Sequence, residues 1–112
     1  MKIEEVFARR RFIMLDGAMG TQLQLRGLTT EQKPELAAFI MPDVLTAVHR
    51  DYARAGADIL LANTFGANPR KLKGTGYTVQ QVIEASIACA RTAAQETGAL
   101  VALDIGPTGE LL

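Results

Sequence analysis

Apolar residues gather in three short runs separated by stretches of helical period. The first is Phe12-Ile13-Met14-Leu15, the second Ala57–Ala62 (ADILLA) and the third Ala99–Asp104 (ALVALD). Apolar runs without alternation suit parallel strands covered on both faces. Each run ends in a polar residue: Asp16, Asn63 and Asp104, spaced 47 and 41 residues apart. Glycine turns follow each of them, and in α/β proteins the carboxyl ends of parallel strands are where binding chemistry gathers.

Between the runs the period changes to that of helices. Residues 2–10 (KIEEVFARR) predict a short amphipathic helix with Ile3, Val6 and Phe7 on one face. Thr21–Arg26 predicts a second short helix with Leu23 and Leu25 partly buried, stopped by Gly27. Leu28–Met41 reads mostly as loop, with a helical turn across Leu36–Ile40. Pro42 suits the first turn of a longer helix and Asp43 its positive end, with Val44, Leu45, Val48, Tyr52 and Ala55 at helical spacing and Gly56 at the stop. A helical turn at Arg70–Lys73 interrupts the next loop. Thr78 and Gln81 have the spacing of a capping box, opening a helix whose stripe is Val79, Val82, Ile83, Ile87, Ala90 and Ala94, closed by Gly98.

The order strand–helix–strand–helix–strand predicts an α/β fold with parallel strands, the crossovers being long enough for parallel pairing. Two architectures fit. One is the first two and a half βα units of a (β/α)8 TIM barrel, a fold of about 250 residues, truncated here. The other is a small doubly wound sheet, for which three strands are few. The lack of a helix after the third run favours the barrel, and predicts bare apolar edges on the first and third strands.

Composition narrows the function classes. The chain has 112 residues, 48% hydrophobic and 21% charged, with twelve basic residues balancing twelve acidic ones. No net field draws nucleic acid or an anionic membrane, and Arg9-Arg10-Arg11 is too short to change that. There is no signal-peptide pattern and no apolar run long enough for a bilayer, so a cytoplasmic location is expected. The single cysteine, Cys89, excludes an intrachain disulfide. It borders the apolar stripe and reads as a small packing residue. His49, between charged neighbours, reads as a solvated helix residue.

The DGAMGT turn, residues 16–21, carries the clearest chemistry. Gly17 and Gly20 allow close backbone approach, and the turn runs into a helix start near Thr21, whose N–H groups suit a carboxylate. Asp16 beside it suits an ammonium, so the pair suits an amino-acid zwitterion. Capping of the next turn is an equally good reading of Asp16. The ending of a Walker A loop is absent. In NTFGAN, residues 63–68, Asn63 and Thr64 lie at a strand end and Phe65 suits an apolar wall. Asn63 equally suits satisfying backbone groups at the rim. DIGPTG, residues 104–109, is a turn signal, and no cluster has metal-ligand spacing.

Three of these motifs in register, LDGAMGTQLQ, PDVLTAVHRDYARAGADILLANTFGAN and DIGPTGELL, make the chain resemble the start of the homocysteine S-methyltransferase family. Within it, the likeness is greatest to the amino-terminal homocysteine-binding module of cobalamin-dependent methionine synthases. It runs from Arg11 to Leu112, so residues 1–112 would form the N-terminal part of one barrel domain. The resemblance implies a barrel with zinc held by three cysteine thiolates, homocysteine sulfur bound to that zinc, and methylcobalamin, remethylated from methyltetrahydrofolate in a donor module, giving up its methyl group. Betaine, S-methylmethionine and S-adenosylmethionine are the alternative donors. Homocysteine would be held by Asp16, Gly17, Ala18, Met19, Gly20 and Thr21, with Asn63, Thr64 and Phe65 lining the same mouth. The zinc cysteines are expected beyond Leu112, Cys89 is not one of them, and no catalytic residue, zinc or cobalamin is expected on this stretch alone. Leu61 and Ala62 stand where many members carry an acid. A non-catalytic half-barrel that binds a small anion or zwitterion, or assembles with copies of itself to cover its open edges, is the reading from another class.

Overall fold

Two helices and two strands in parallel crossover arrangement carry the fold. In the computed structural model residues 2–9 and 12–106 are described, without the side chains of Val6 and Arg9. Helices α1 (Ile3–Arg9) and α2 (Gly20–Leu25) come first, followed by a 3-10 turn (Pro34–Leu36), α3 (Ala37–Ile40) and α4 (Pro42–Arg54). Strand β1 (Ile59–Leu61), the one-turn α5 (Pro69–Leu72), α6 (Val79–Ala94) and β2 (Leu100–Ala102) complete the order.

Helix α4 starts as its sequence dictates, with Pro42 in its first turn and Asp43 beside it. Gly56 after its end takes φ +113°, a left-handed conformation open to glycine. Thr78 caps α6 by a reciprocal box: the Thr78 hydroxyl accepts from the Gln81 N–H at 3.1 Å and the Gln81 side chain accepts from the Thr78 N–H at 2.9 Å. Strands β1 and β2 pair in parallel, with Ile59 opposite Leu100 and Leu61 opposite Ala102. Both are shorter than the apolar runs that contain them.

The first run departs furthest from expectation. Instead of a buried strand, residues 12–16 contribute one parallel bridge, Leu15 to Ile59. The Asp58 N–H donates to the Met14 carbonyl at 2.7 Å, and the Asp58 carboxylate accepts from the Met14 N–H at 2.9 Å, so a side chain replaces one rung of the ladder. Phe12, Met14 and Leu15 are each more than half exposed. A parallel strand is buried only when it has neighbours on both edges and layers on both faces. Among the described residues this segment pairs on one edge alone.

The core has two parts. Leu23, Leu28, Ala37, Ala38, Leu45 and Val48 pack between α2, α3 and α4, with Ala85 and Cys89 of α6 against them. Ala53, Leu60, Ala93 and Ala94 pack where α4 and α6 cover the sheet, and Tyr52 touches both parts. The stripe of α6 is buried at Val82, Ala90 and Ala94, with Ser86 and Ala93 added, while Val79, Ile83 and Ile87 are half-buried. Leu25, expected to be partly buried with Leu23, instead points to solvent. Two residues apart, the pair lies on nearly opposite sides of a helix. Ile3 and Phe7 of α1 are exposed too, and the expectations for Val6 and for residues 107–112 lie outside the described set.

Candidate functional site

Asp16 follows immediately on the Leu15–Ile59 bridge, at the carboxyl end of its run. Its N–H donates to the Ile59 carbonyl at 3.2 Å, and its Oδ2 accepts from the Leu61 N–H at 3.0 Å. Its other oxygen, Oδ1, is buried without a partner among the described residues. Burial pushes the carboxyl pKa up from its usual range, and Asp104 nearby adds to the rise. The hydrogen bonds from Leu61 and from its own amide oppose both. Asp16 therefore ties the first segment to β1 and does not cap the turn that follows it.

Asp16 borders a cleft of about 380 Å³ at the strand ends. Asp16, Gly17, Ala18, Met19 and Gly20 form one wall, and Leu61, Ala62, Asn63, Phe65 and Gly66 another. Pro34 and Glu35 of the 3-10 turn and Asp104 after β2 complete it. Among the described residues, three carboxylates and no basic side chain line this space. The turn at residues 17–19 is fastened from behind by Tyr52 of α4, whose hydroxyl donates to the Ala18 carbonyl at 2.6 Å. Helix α2 then begins with Met19 in the capping position and no side-chain cap on its first N–H groups.

The remaining residues singled out in the sequence divide. Asn63 lines the cleft but spends its amide on the Pro34 carbonyl, 2.7 Å away, as the rim reading expects. Phe65 is half exposed and walls the cleft, with the Lys71 ammonium 5.5 Å from its ring centre. Thr64 is buried and bonded to the Asp104 backbone; it lines a smaller cavity of about 150 Å³ shared with Phe65 and Asp104. Thr21 is exposed on α2 and is not among the residues lining the cleft. Glu35 escaped sequence reading, because its segment carries only loop signals and its position depends on contacts 29 to 38 residues away.

Two residues outside the cleft complete the account. His49, expected to be solvated, is fully buried, with neither ring nitrogen hydrogen-bonded among the described residues; burial lowers its pKa to about 4. It lies one helical turn from Leu45 on the packed side of α4, and that face outweighs its charged sequence neighbours. Cys89 is half-buried against the core, its Sγ 3.9 Å from the Pro42 carbonyl.

Residues 13–112 match the family model for homocysteine S-methyltransferase. The chain belongs to this family. It is 38% identical over 97 residues to methionine synthase of Mycobacterium tuberculosis, an alignment covering 80% of this chain and 8% of that protein. Homocysteine S-methyltransferase of Escherichia coli K12 is 31% identical, with 93% of this chain and 38% of the relative covered. Betaine–homocysteine S-methyltransferase 1 of Danio rerio is 35% identical, with 87% and 26% covered. The solved structure of the E. coli homocysteine methyltransferase MmuM, in its metallated form, superposes with a TM-score of 0.84 at 28% identity, covering 96% of this chain and 42% of that one. The chain thus spans less than half the length of each of these relatives.

The zinc that the family resemblance implies does not fit the described residues of this member of the homocysteine S-methyltransferase family. No three His, Cys, Asp or Glu side chains among them are placed to hold a metal. Cys89 lies on α6 and is not part of the cleft lining. Nor is any described helix long and apolar enough to cross a membrane.

Proposed function

We propose that residues 1–112 form the N-terminal part of a homocysteine-binding (β/α)8 barrel, and that this stretch holds the amino-acid end of homocysteine. The whole protein would transfer a methyl group to the homocysteine sulfur and yield methionine. The parallel strand order and the superposition on a homocysteine methyltransferase support the barrel. One observation carries the substrate role: among the described residues, Asp16 keeps a buried, unpartnered oxygen and no basic side chain lines the cleft it borders.

An ammonium docking at Asp16 would replace that missing partner with a charge-assisted hydrogen bond. Gly20 leaves the backbone of the turn open to the ligand while Gly17 makes room for the Tyr52 ring behind it, so Ala18, Met19 and Thr21 contribute through the same turn. Phe65 would cover the methylene chain. Asn63 and Thr64 act as fasteners, holding the 3-10 turn and Asp104 around the ligand. In methyl transfer the homocysteine thiol gives up its proton to solvent, the sulfur lone pair attacks the methyl carbon, and the bond from methyl to donor breaks with its electrons leaving on the donor. The described residues of this chain orient the substrate for that displacement.

Methylcobalamin, regenerated from methyltetrahydrofolate in a partner module, is the donor we favour, on the identity to methionine synthase and the likeness of the GAMGT and DIGPTGELL segments. Betaine, S-methylmethionine and S-adenosylmethionine are the alternatives, and a cytoplasmic setting goes with all of them. The test is twofold. L-homocysteine is titrated into the chain and into Asp16→Asn, and the whole protein is assayed for methionine formation with each donor and for zinc content. Binding that Asp16→Asn weakens, with turnover on methylcobalamin, is expected. Equal binding by both chains removes the substrate role of Asp16. Binding without turnover on any donor points to the non-catalytic module.

A further inference from the structure

We infer that Glu35 is a second carboxylate receiving the ligand's ammonium group, held in position by the absence of a side chain at Gly66. The inference rests on the reading of the cleft as an amino-acid site.

Glu35 is set by long-range fastening on both sides. Before it, the Lys33 ammonium donates to the Lys71 carbonyl at 2.9 Å, anchoring the approach to α5. At Pro34, the carbonyl accepts from the Asn63 amide at 2.7 Å, anchoring the turn to the end of β1. The Glu35 side chain then lies across Gly66. A Cβ at residue 66 would overlap Cγ, Cδ and Oε1 of Glu35, and Gly66 is not among the glycines with positive φ. Glycine is therefore required here for space and not for conformation, and the space is taken by the Glu35 carboxylate.

The charge balance of the cleft gives this placement a use. Glu35 is half-buried, and no hydrogen bond or ion pair to its carboxylate is formed among the described residues. A half-buried carboxylate at the wall of a cleft is free to form a charge-assisted hydrogen bond with a cation that enters. Glu35 shares the cleft with Asp16, which has one unpartnered oxygen, and with Asp104, and no lysine or arginine among the described residues lines it. A primary ammonium carries three donors and can serve two carboxylates at once. A quaternary ammonium has no N–H and an amine-free thiol has no charge to offer. The cleft is thereby selective for a free primary amine on its ligand.

The probes are L-homocysteine and 4-mercaptobutyrate, which keeps the thiol and carboxylate but lacks the amine. Each is titrated by calorimetry into the 112-residue chain, Glu35→Gln, Glu35→Asp, Gly66→Ala and Asp16→Asn. The wild type should prefer L-homocysteine. Glu35→Gln should weaken L-homocysteine about tenfold, the loss of one charge-assisted hydrogen bond, and leave 4-mercaptobutyrate unchanged. Gly66→Ala should act in the same direction by displacing the carboxylate. If Glu35→Gln melts at room temperature, Glu35→Asp gives the same readout with the arm shortened by one methylene. An L-homocysteine affinity within twofold of wild type in the folded Glu35 variant overturns the inference, as does equal weakening of both ligands. If Asp16→Asn still loses selectivity in that case, the cleft reading survives and only Glu35 is removed from it. A wild type that binds neither ligand, or both equally, brings down the reading and the inference together.

Discussion

Thr64 and Asp104 exchange two hydrogen bonds through one hydroxyl. The Thr64 hydroxyl donates to the Asp104 carbonyl at 2.7 Å and accepts from the Asp104 N–H at 3.0 Å. The pair sits just beyond Leu61 opposite Ala102, where the β1–β2 ladder ends, so it extends the parallel pairing with a side chain in place of a backbone rung. Thr64→Val keeps the shape but leaves the half-buried Asp104 carbonyl and N–H without this partner. Urea unfolding should show a loss of about 2 kcal/mol, with Thr64→Ser close to wild type.

Asp16→Asn separates stability from binding. The amide oxygen of asparagine can still accept from the Leu61 N–H, while the unfavourable burial of a charge disappears. Because burial raises the folded-state pKa of Asp16 above its ordinary 3.8, the folded chain holds the proton more tightly than the unfolded one. The stabilising share of Asp16 is thus full below pH 3.8 and is lost as pH rises through the raised value. Wild-type stability relative to Asp16→Asn should fall across that window. Homocysteine binding should run the other way, weakening as acid protonates Asp16 at a pH above the usual aspartate range. Thermal melts and titrations at stepped pH check both slopes.

His49 makes the opposite sign. Its pKa falls from 6.5 to about 4 because burial disfavours the imidazolium. The unfolded chain takes up the proton first, so stability is full above pH 6.5 and is lost as pH falls towards 4. The loss across that window should be on the order of 3 kcal/mol. His49→Leu should be at least as stable at pH 7, since two unpartnered ring nitrogens are removed, and should flatten the acid limb of the stability curve. Urea midpoints at pH 7, 5.5 and 4.5 measure it. An unchanged acid limb in His49→Leu would assign the loss to other groups.

What could be read in the sequence was whatever local chemistry decides. The capping box at Thr78 and Gln81, Pro42 at a helix start and the glycine stop at Gly56 each appear where their residues put them. The polar ends of the apolar runs, Asp16, Asn63 and Asp104, do come together around one cleft, because parallel βα units bring successive strand ends to the same side. Burial was less legible. Phe12 and Met14 look like core residues but lack a second neighbour, and His49 looks solvated because its charged neighbours say nothing of which face packs. Glu35 was invisible for a related reason: its place is fixed by Asn63, Lys71 and Gly66, all far along the chain.

Gly17 offers a probe of the turn that leaves every polar group in place. A Cβ at residue 17 would stand 2.9 Å from the Tyr52 ring and from its hydroxyl, inside normal contact. Its φ is not among the positive ones, so a substitution tests crowding alone. Alanine there must push the Tyr52 ring aside, and that ring both touches the two parts of the core and donates to the Ala18 carbonyl. Overpacking of this kind costs about 1–3 kcal/mol, and the displaced ring also releases the turn that borders the cleft. Gly17→Ala should therefore lower the urea midpoint and weaken L-homocysteine together. Tyr52→Phe, which removes the 2.6 Å hydrogen bond without crowding, should weaken binding with a smaller loss of stability. In the double variant Gly17→Ala/Tyr52→Ala the clash is gone, so the alanine at 17 should add almost nothing to the cost of Tyr52→Ala. Full additivity of the two costs would mean that Gly17 answers to something other than the tyrosine behind it.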